Sequence, residues 1–250
     1  MRIVLVPTAQ ALSARQPLPP GPSAVIDVLR ATTTIVAALA AGAERVEPVA
    51  TVAAARRRAR ALGAGALLAG ERHGDPLPGF DLGNSPVEAH ARAPGRAVVL
   101  TTTNGTLACS RLLAQGAAGG ERPVYGASLG NLSAVAARLR ADAEGGGADA
   151  VALVCAGQSG HEAAEDLLAA GALAARLPAE WQRDDRALAA QWAWHDQSAD
   201  PRSALSQCPH GRTLLDQGYA DDIAWAARID WTACLPRLEA RGGEPARFVA

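Results

Sequence analysis

The sequence predicts an α/β fold built on a largely parallel or mixed sheet, and three observations carry that prediction. Up to Arg176, short apolar runs alternate with alanine-rich runs of helical length. The apolar runs are continuous, not alternating, as expected of strands covered on both faces. Polar loops join the two kinds of run, as in "VIDVLRATTTIVAALAAGA", "VVLTTTNGTLACSRLLAQGA" and "VALVCAGQSGHEAAEDLLAAGA".

Taken in chain order, "IVLV" gives a first strand at 3–6, and "AVIDV" a second at 24–28. The run 33–41 is helical, and "RVEP" at 45–48 returns as a strand. Alanine and arginine make 52–62 a helix, and "ALL" at 66–68 is the next strand. Residues 70–89, "GERHGDPLPGFDLGNSPVEA", form a long loop that ends at a Ser85 cap with Pro86 in the first helical position. Strands at 97–100, 124–125 and 150–154 then alternate with helices at 107–115, 132–141 and 163–175. The repeated strand–loop–helix layout reads as successive α/β units, not as a duplication.

Beyond Arg176 the chain changes character. The tryptophans lie between Trp181 and Trp231, and 181–195 and 211–229 read as helices joined by a loop over "SADPRSALSQCPHG". These aromatics are expected to pack a helical layer onto the sheet. Residues 1–250 are expected to form one domain, with 177–250 a mostly helical, tryptophan-rich part that could separate near residue 176.

Length, charge and composition exclude several functions. The 250 residues are 49% hydrophobic and 20% charged with a formal net charge of -1, so no basic excess marks a nucleic-acid or membrane-surface binder. Every basic residue is arginine, which rules out a P-loop lysine or a Schiff base. The apolar start of the chain is too short for a signal peptide, and no run is long enough to span a bilayer. The four cysteines form no CxxC pair, so a reduced, cytoplasmic protein is expected. The five histidines lack zinc-site spacing, and no GxSxG elbow is present. "CAGQSGH" resembles a cysteine-phosphatase loop but has His161 where that loop needs arginine, so Cys155 reads as a buried thiol.

The candidate chemistry sits in the loops beyond the strand ends, where open α/β sheets bind ligands. Asp27, Arg30, Thr32, Thr33 and Thr34 follow the second strand; Thr101, Thr102, Thr103, Asn104 and Gly105 follow another. Ser128 and Asn131 precede a helix, and Gly157 to Gly160 lead towards Glu165 and Asp166. Each hydroxyl or amide alone reads as a helix cap, whereas several converging loops make an oxyanion site. In the long loop the residues of interest are Glu71, Asp81, Asn84 and Ser85. Asp27, Glu71, Asp81, Glu165 and Asp166 could supply carboxylates to Mg²⁺, which uses one or two of them with waters and substrate oxygens. Arg30 could clamp an anionic group.

Together these stretches resemble the 2-phosphosulfolactate phosphatase (ComB-type) family. The likeness rests on "DVLRATTTIVAALAAGA", "GERHGDPLPGFDLGNSP", "TTTNGT", "ASLGNLSAVA", "CAG" with "EDLLAAGAL", and "HGRTLLDQGYADDI", in that order. The resemblance implies a three-layer α/β/α fold and a cytoplasmic, Mg²⁺-dependent phosphatase that converts 2-phospho-3-sulfolactate to sulfolactate and phosphate, a step associated with coenzyme M synthesis. Gln158 to Ala164 depart from the family pattern, which bears on substrate selectivity. On this reading Asp27, Arg30, Glu71 and Asp81 are catalytic. The metal is held by carboxylates drawn from Asp27, Glu71, Asp81 and Glu165 or Asp166. Substrate oxygens meet Thr32, Thr33, Asn84, Ser85, Thr102, Thr103, Asn104, Gly105, Ser128 and Asn131. Asp27 either attacks phosphorus or activates water. The partner is a small anionic phosphorylated substrate, with neither nucleic acid nor membrane, and a homodimer is compatible with it. The alternatives are a phosphatase of a related small phosphorylated acid and, from another class, a non-catalytic binding protein for a small phosphorylated or sulfonated acid.

Overall fold

The computed structural model describes residues 1–12, 17–119, 122–240 and 245–250. Its strands are β1 (Arg2–Val6), β2 (Ser23–Ile26), β3 (Arg45–Pro48), β4 (Leu67–Arg72), β5 (Asp75–Pro76), β6 (Ala97–Thr101), β7 (Val124–Ala127), β8 (Ala150–Cys155), β9 (Gln182–Arg183), β10 (Arg237–Glu239) and β11 (Arg247–Val249). Its helices are α1 (Ala31–Ala40), α2 (Val52–Leu62), α3 (Pro86–Arg92), α4 (Gly105–Gly119), α5 (Leu132–Glu144), α6 (Ala164–Ala174), α7 (Asp185–Gln197), α8 (Pro201–Gln207), α9 (Pro209–Asp216) and α10 (Ala220–Ala226). Among the described residues, no helix is long and apolar enough to cross a membrane.

The strands form one mixed sheet in the order β5-β4-β6-β3-β11-β10-β7-β2-β8-β1-β9. Two parallel blocks, β4-β6-β3 and β7-β2-β8-β1-β9, are joined by the antiparallel β10–β11 hairpin. Alternate residues of each central strand feed opposite cores, as strand geometry requires. Ile26, Leu153 and Cys155 pack with α5, α6 and α7, whereas Val25, Ala152 and Val154 pack with α1, α3 and α4. The sheet is thus covered on both faces, which is why its strands are apolar throughout.

The C-terminal part differs from expectation in four places, the first being that the helix expected from 181 starts at Asp185, after Gln182–Arg183 pair as β9. The stretch expected as a loop over 198–211 contains α8, started by the Asp200 cap and Pro201. The helix expected over 211–229 is two short helices, broken where Gly218 turns to a φ of 86°. The hairpin β10–β11 lies in a region given no strand from sequence. Trp181 and Trp194 are buried in the α7 layer, while Trp192 is 62% exposed.

Candidate active site

A cavity of about 210 Å³ opens beyond the carboxyl ends of β2, β4, β6 and β8. Asp27 enters it directly after β2 and stays buried because its Oδ1 accepts the Ala31 amide at the start of α1 (3.0 Å). The Thr32 hydroxyl closes the same turn, accepting from the Asp27 amide and donating to the Asp27 carbonyl. Glu71, at the end of β4, accepts from the Gly74 amide through Oε2 (2.8 Å) and from the Thr103 amide through Oε1 (3.0 Å). This carboxylate therefore pins the β4 loop to the threonine loop that follows β6. Thr102 accepts from the Thr106 amide, and the Asn104 Oδ1 from the Ser159 amide (3.1 Å), so both also order the loops they line.

A flat sheet would hold β2 and β4 six strand spacings apart, roughly 29 Å at ~4.8 Å per step. Asp27 and Glu71 nevertheless share one small cavity, so the sheet curls around the inner layer of α1, α3 and α4.

The cavity wall carries two carboxylates, Asp27 and Glu71, with Arg30, His73 and His210. Burial pushes the Asp27 carboxyl up to about 6; the Ala31 amide and His210 oppose the shift, and the charges of Glu71 and Glu165 add to it. Asp166, behind it, is also raised by burial and by Asp27 and Glu165, against the amides of Val28 and Gly157 that it accepts from. Arg30 lines the cavity, but its guanidinium donates to Asp222 (2.8 Å) and to the Gly74 carbonyl (2.8 Å) and stacks on Tyr219. Among the described residues the Asn84 Oδ1, on the same wall, is buried with no hydrogen-bond partner.

The structure thus brings together Asp27, Arg30, Glu71, Asn84, Thr102, Thr103 and Asn104, with Gly105 packed against Asp27. Other residues expected in the site lie elsewhere. Asp81 is exposed, and its Oδ2 accepts the Leu68 amide (2.8 Å). The long loop doubles back along β4, so Asp81 faces Leu68 about three residues, or roughly 10 Å, short of the strand end that carries Glu71. Thr33 donates to the Val28 carbonyl, and Ser85 caps α3 while donating to Asp222 (2.6 Å). Ser128 and Asn131 cap each other, and the Asn131 amide is taken up by the carbonyls of Gly126 and Cys234. Neither Glu165 nor Asp166 lines the cavity: the first faces His210 and the second is spent on backbone amides.

The cavity also holds residues that the sequence did not single out as its parts, namely His73, His210 and Thr213. His210 and Thr213 come from α9, which closes over the site from the far end of the chain. Their only sequence signal was membership of the "HGRTLLDQGYADDI" stretch.

Residues 12–241 match the family model described as 2-phosphosulpholactate phosphatase. A Deinococcus radiodurans protein named "Probable 2-phosphosulfolactate phosphatase" is 42% identical over 237 residues, covering 92% of this chain and 94% of the relative. A protein of the same name from Parasynechococcus marenigrum is 40% identical, covering 89% and 91%. Another from Pseudothermotoga lettingae is 38% identical, covering 85% and 87%.

Proposed function

Because the chain belongs to the 2-phosphosulfolactate phosphatase family, we propose that its cavity hydrolyses 2-phospho-3-sulfolactate to 3-sulfolactate and phosphate with the help of Mg²⁺. The observation that carries the reading is the buried, unpartnered Asn84 Oδ1 of a residue that lines the same cavity as Asp27 and Glu71. A phosphate dianion brought to about 4 Å from a carboxylate meets a repulsion of some kcal/mol per charge even at an effective dielectric of ~20. Arg30 is already committed to Asp222. A bound cation would offset this repulsion.

Asp27, Glu71 and the Asn84 amide oxygen would hold Mg²⁺, a set of two carboxylates and one neutral oxygen that suits a hard cation keeping waters and substrate oxygens. When bound, the ion supplies positive charge to the phosphoryl oxygens. The chain supplies the rest. Ala31 fixes the orientation of Asp27, and the Thr103 amide fixes that of Glu71. Thr102 and Asn104, on the cavity wall just before α4, would meet the remaining oxygens. The four cysteines are free thiols, in keeping with a reducing, cytoplasmic setting.

Phosphate release measured over a panel that includes phosphosulfolactate and 2-phospholactate tests the reading. Wild-type turnover should require Mg²⁺ and vanish with a chelator, and Asp27→Asn should abolish it while retaining the far-UV spectrum and cooperative unfolding. Near-normal turnover by Asp27→Asn removes that residue from the chemistry. Tight binding of the panel without any release favours a binding protein instead.

A further inference from the structure

We propose that His210, oriented by Glu165, is the proton donor to the leaving alcohol oxygen, an assignment that rests on the phosphatase reading above. His210 stands in the first turn of α9 and lines the cavity that holds Asp27. Its Nδ1 lies 3.3 Å from the Glu165 Oε1, with side-chain exposures of 18% and 3% respectively. Glu165, in the first turn of α6, is thus a buried carboxylate placed behind the ring and off the cavity wall. A carboxylate in ion-pair contact with Nδ1 favours the proton on that nitrogen and leaves Nε2 for the substrate. Among the described residues Nε2 has no protein partner. The other imidazole on the wall, His73, has no carboxylate in ion-pair contact with its ring among the described residues, so the two histidines are not equivalent.

The reaction needs such a donor. The carbinol oxygen of a 2-phospho acid leaves as an alkoxide, a poor leaving group unless it is protonated as the bond breaks. As a water oxygen forms the new bond to phosphorus, the P–O bond to the carbinol oxygen breaks and its electron pair stays on that oxygen. The oxygen takes the Nε2 proton and departs as the alcohol. The proton carried in by the water returns from the phosphate to Nε2, so the sum is ester plus water giving alcohol plus phosphate. Glu165 acts through His210 and is a positioning residue.

The test compares two small phosphates with Mg²⁺ present: 2-phospholactate, which loses an alkoxide, and acetyl phosphate, which loses a carboxylate that needs no proton. His210→Gln should lower kcat for 2-phospholactate by about 10²–10⁴-fold and for acetyl phosphate by less than about tenfold. Glu165→Gln, similar in shape, should show the same split with a smaller loss and little change in KM. Retained acetyl phosphatase activity also reports that each variant is folded. Equal losses on both substrates, or no loss on 2-phospholactate, overturn the assignment and leave the phosphatase reading standing. A wild-type protein inert towards both substrates and towards 2-phospho-3-sulfolactate overturns the phosphatase reading and the assignment with it.

Discussion

Gly105 shows how closely single residues are fitted around the Asp27 carboxylate. A Cβ at this position would lie 2.6 Å from the Ala31 Cβ and 2.7 Å from the Asp27 Oδ2. Neither neighbour can yield easily, because the Ala31 amide is the group that holds Asp27. Gly105→Ala should therefore push Asp27 out of place or separate α4 from α1. We expect kcat/KM to fall by at least tenfold and stability by about 1–3 kcal/mol, the usual cost of overpacking; wild-type kinetics and an unchanged urea midpoint would refute so tight a fit. The sequence made the Asn-Gly legible as a turn before a helix, but the need for glycine comes from a strand far away in the sheet. The same limit applies to the acids of the long loop. Glu71 and Asp81 look alike in sequence, and only the fold-back of the loop along β4 turns one into the cavity and the other to solvent. His210 was harder still, since its meaning depends on Glu165 from a different helix.

At the scale of elements, β3 and α2 are locked by one buried charge. The Glu47 carboxylate accepts from Arg58 (2.6 and 3.0 Å) and Arg45 (2.9 Å) with no exposed side-chain surface. Burial opposes its charge, but the hydrogen bonds and charges of Arg58 and Arg45 outweigh burial and hold the carboxyl below its ordinary 4.5. A depressed carboxyl pKa stabilises the fold above the unfolded value of about 4.3, and the contribution is lost as pH falls through the folded value. Glu47→Gln should thus cost about 1–3 kcal/mol at pH 7, with the gap to wild type shrinking as urea unfolding is repeated towards pH 3. A gap that stays constant with pH would show that shape, not charge, does the locking. Helix α2 falls on the residues its composition predicted, 52–62, because alanine and arginine carry strong local propensity and Gly63 ends it. By contrast α8 hid in a polar stretch, where Asp200 and Pro201 were its start signal but no apolar face followed. The strands "RLE" and "RFV" of the terminal hairpin are too short to show any period, and only their non-local partners make them strands.

That hairpin sets the logic of the whole molecule. The α/β class was legible because apolar runs and helical runs alternate locally, whereas the joining of two parallel blocks by the chain's last strands was not. Asp27 belongs to the block containing β2, and Glu71 and the threonine loop belong to the block containing β4 and β6. The cavity therefore exists only while the seam between blocks holds. At the seam Phe248 is fully buried, sits opposite Val46 of β3 and Leu238 of β10, and packs in the inner core with Leu100 and Val25 from the two sides. Phe248→Ala should cost about 3–5 kcal/mol in urea unfolding, as large-to-small changes in a core do. Because the lost packing lies between the blocks, their relative placement should loosen too. On the proposed Mg²⁺ dependence, the Mg²⁺ concentration giving half-maximal phosphate release should then rise severalfold at a temperature where the variant is still folded. Trp181 packs within the α7 layer on one block, away from the seam. Trp181→Phe therefore serves as the control and should leave the Mg²⁺ requirement near that of wild type. A Phe248→Ala protein that is destabilised yet keeps the wild-type Mg²⁺ requirement would show that α1 and α4 alone hold the two halves of the cavity in register.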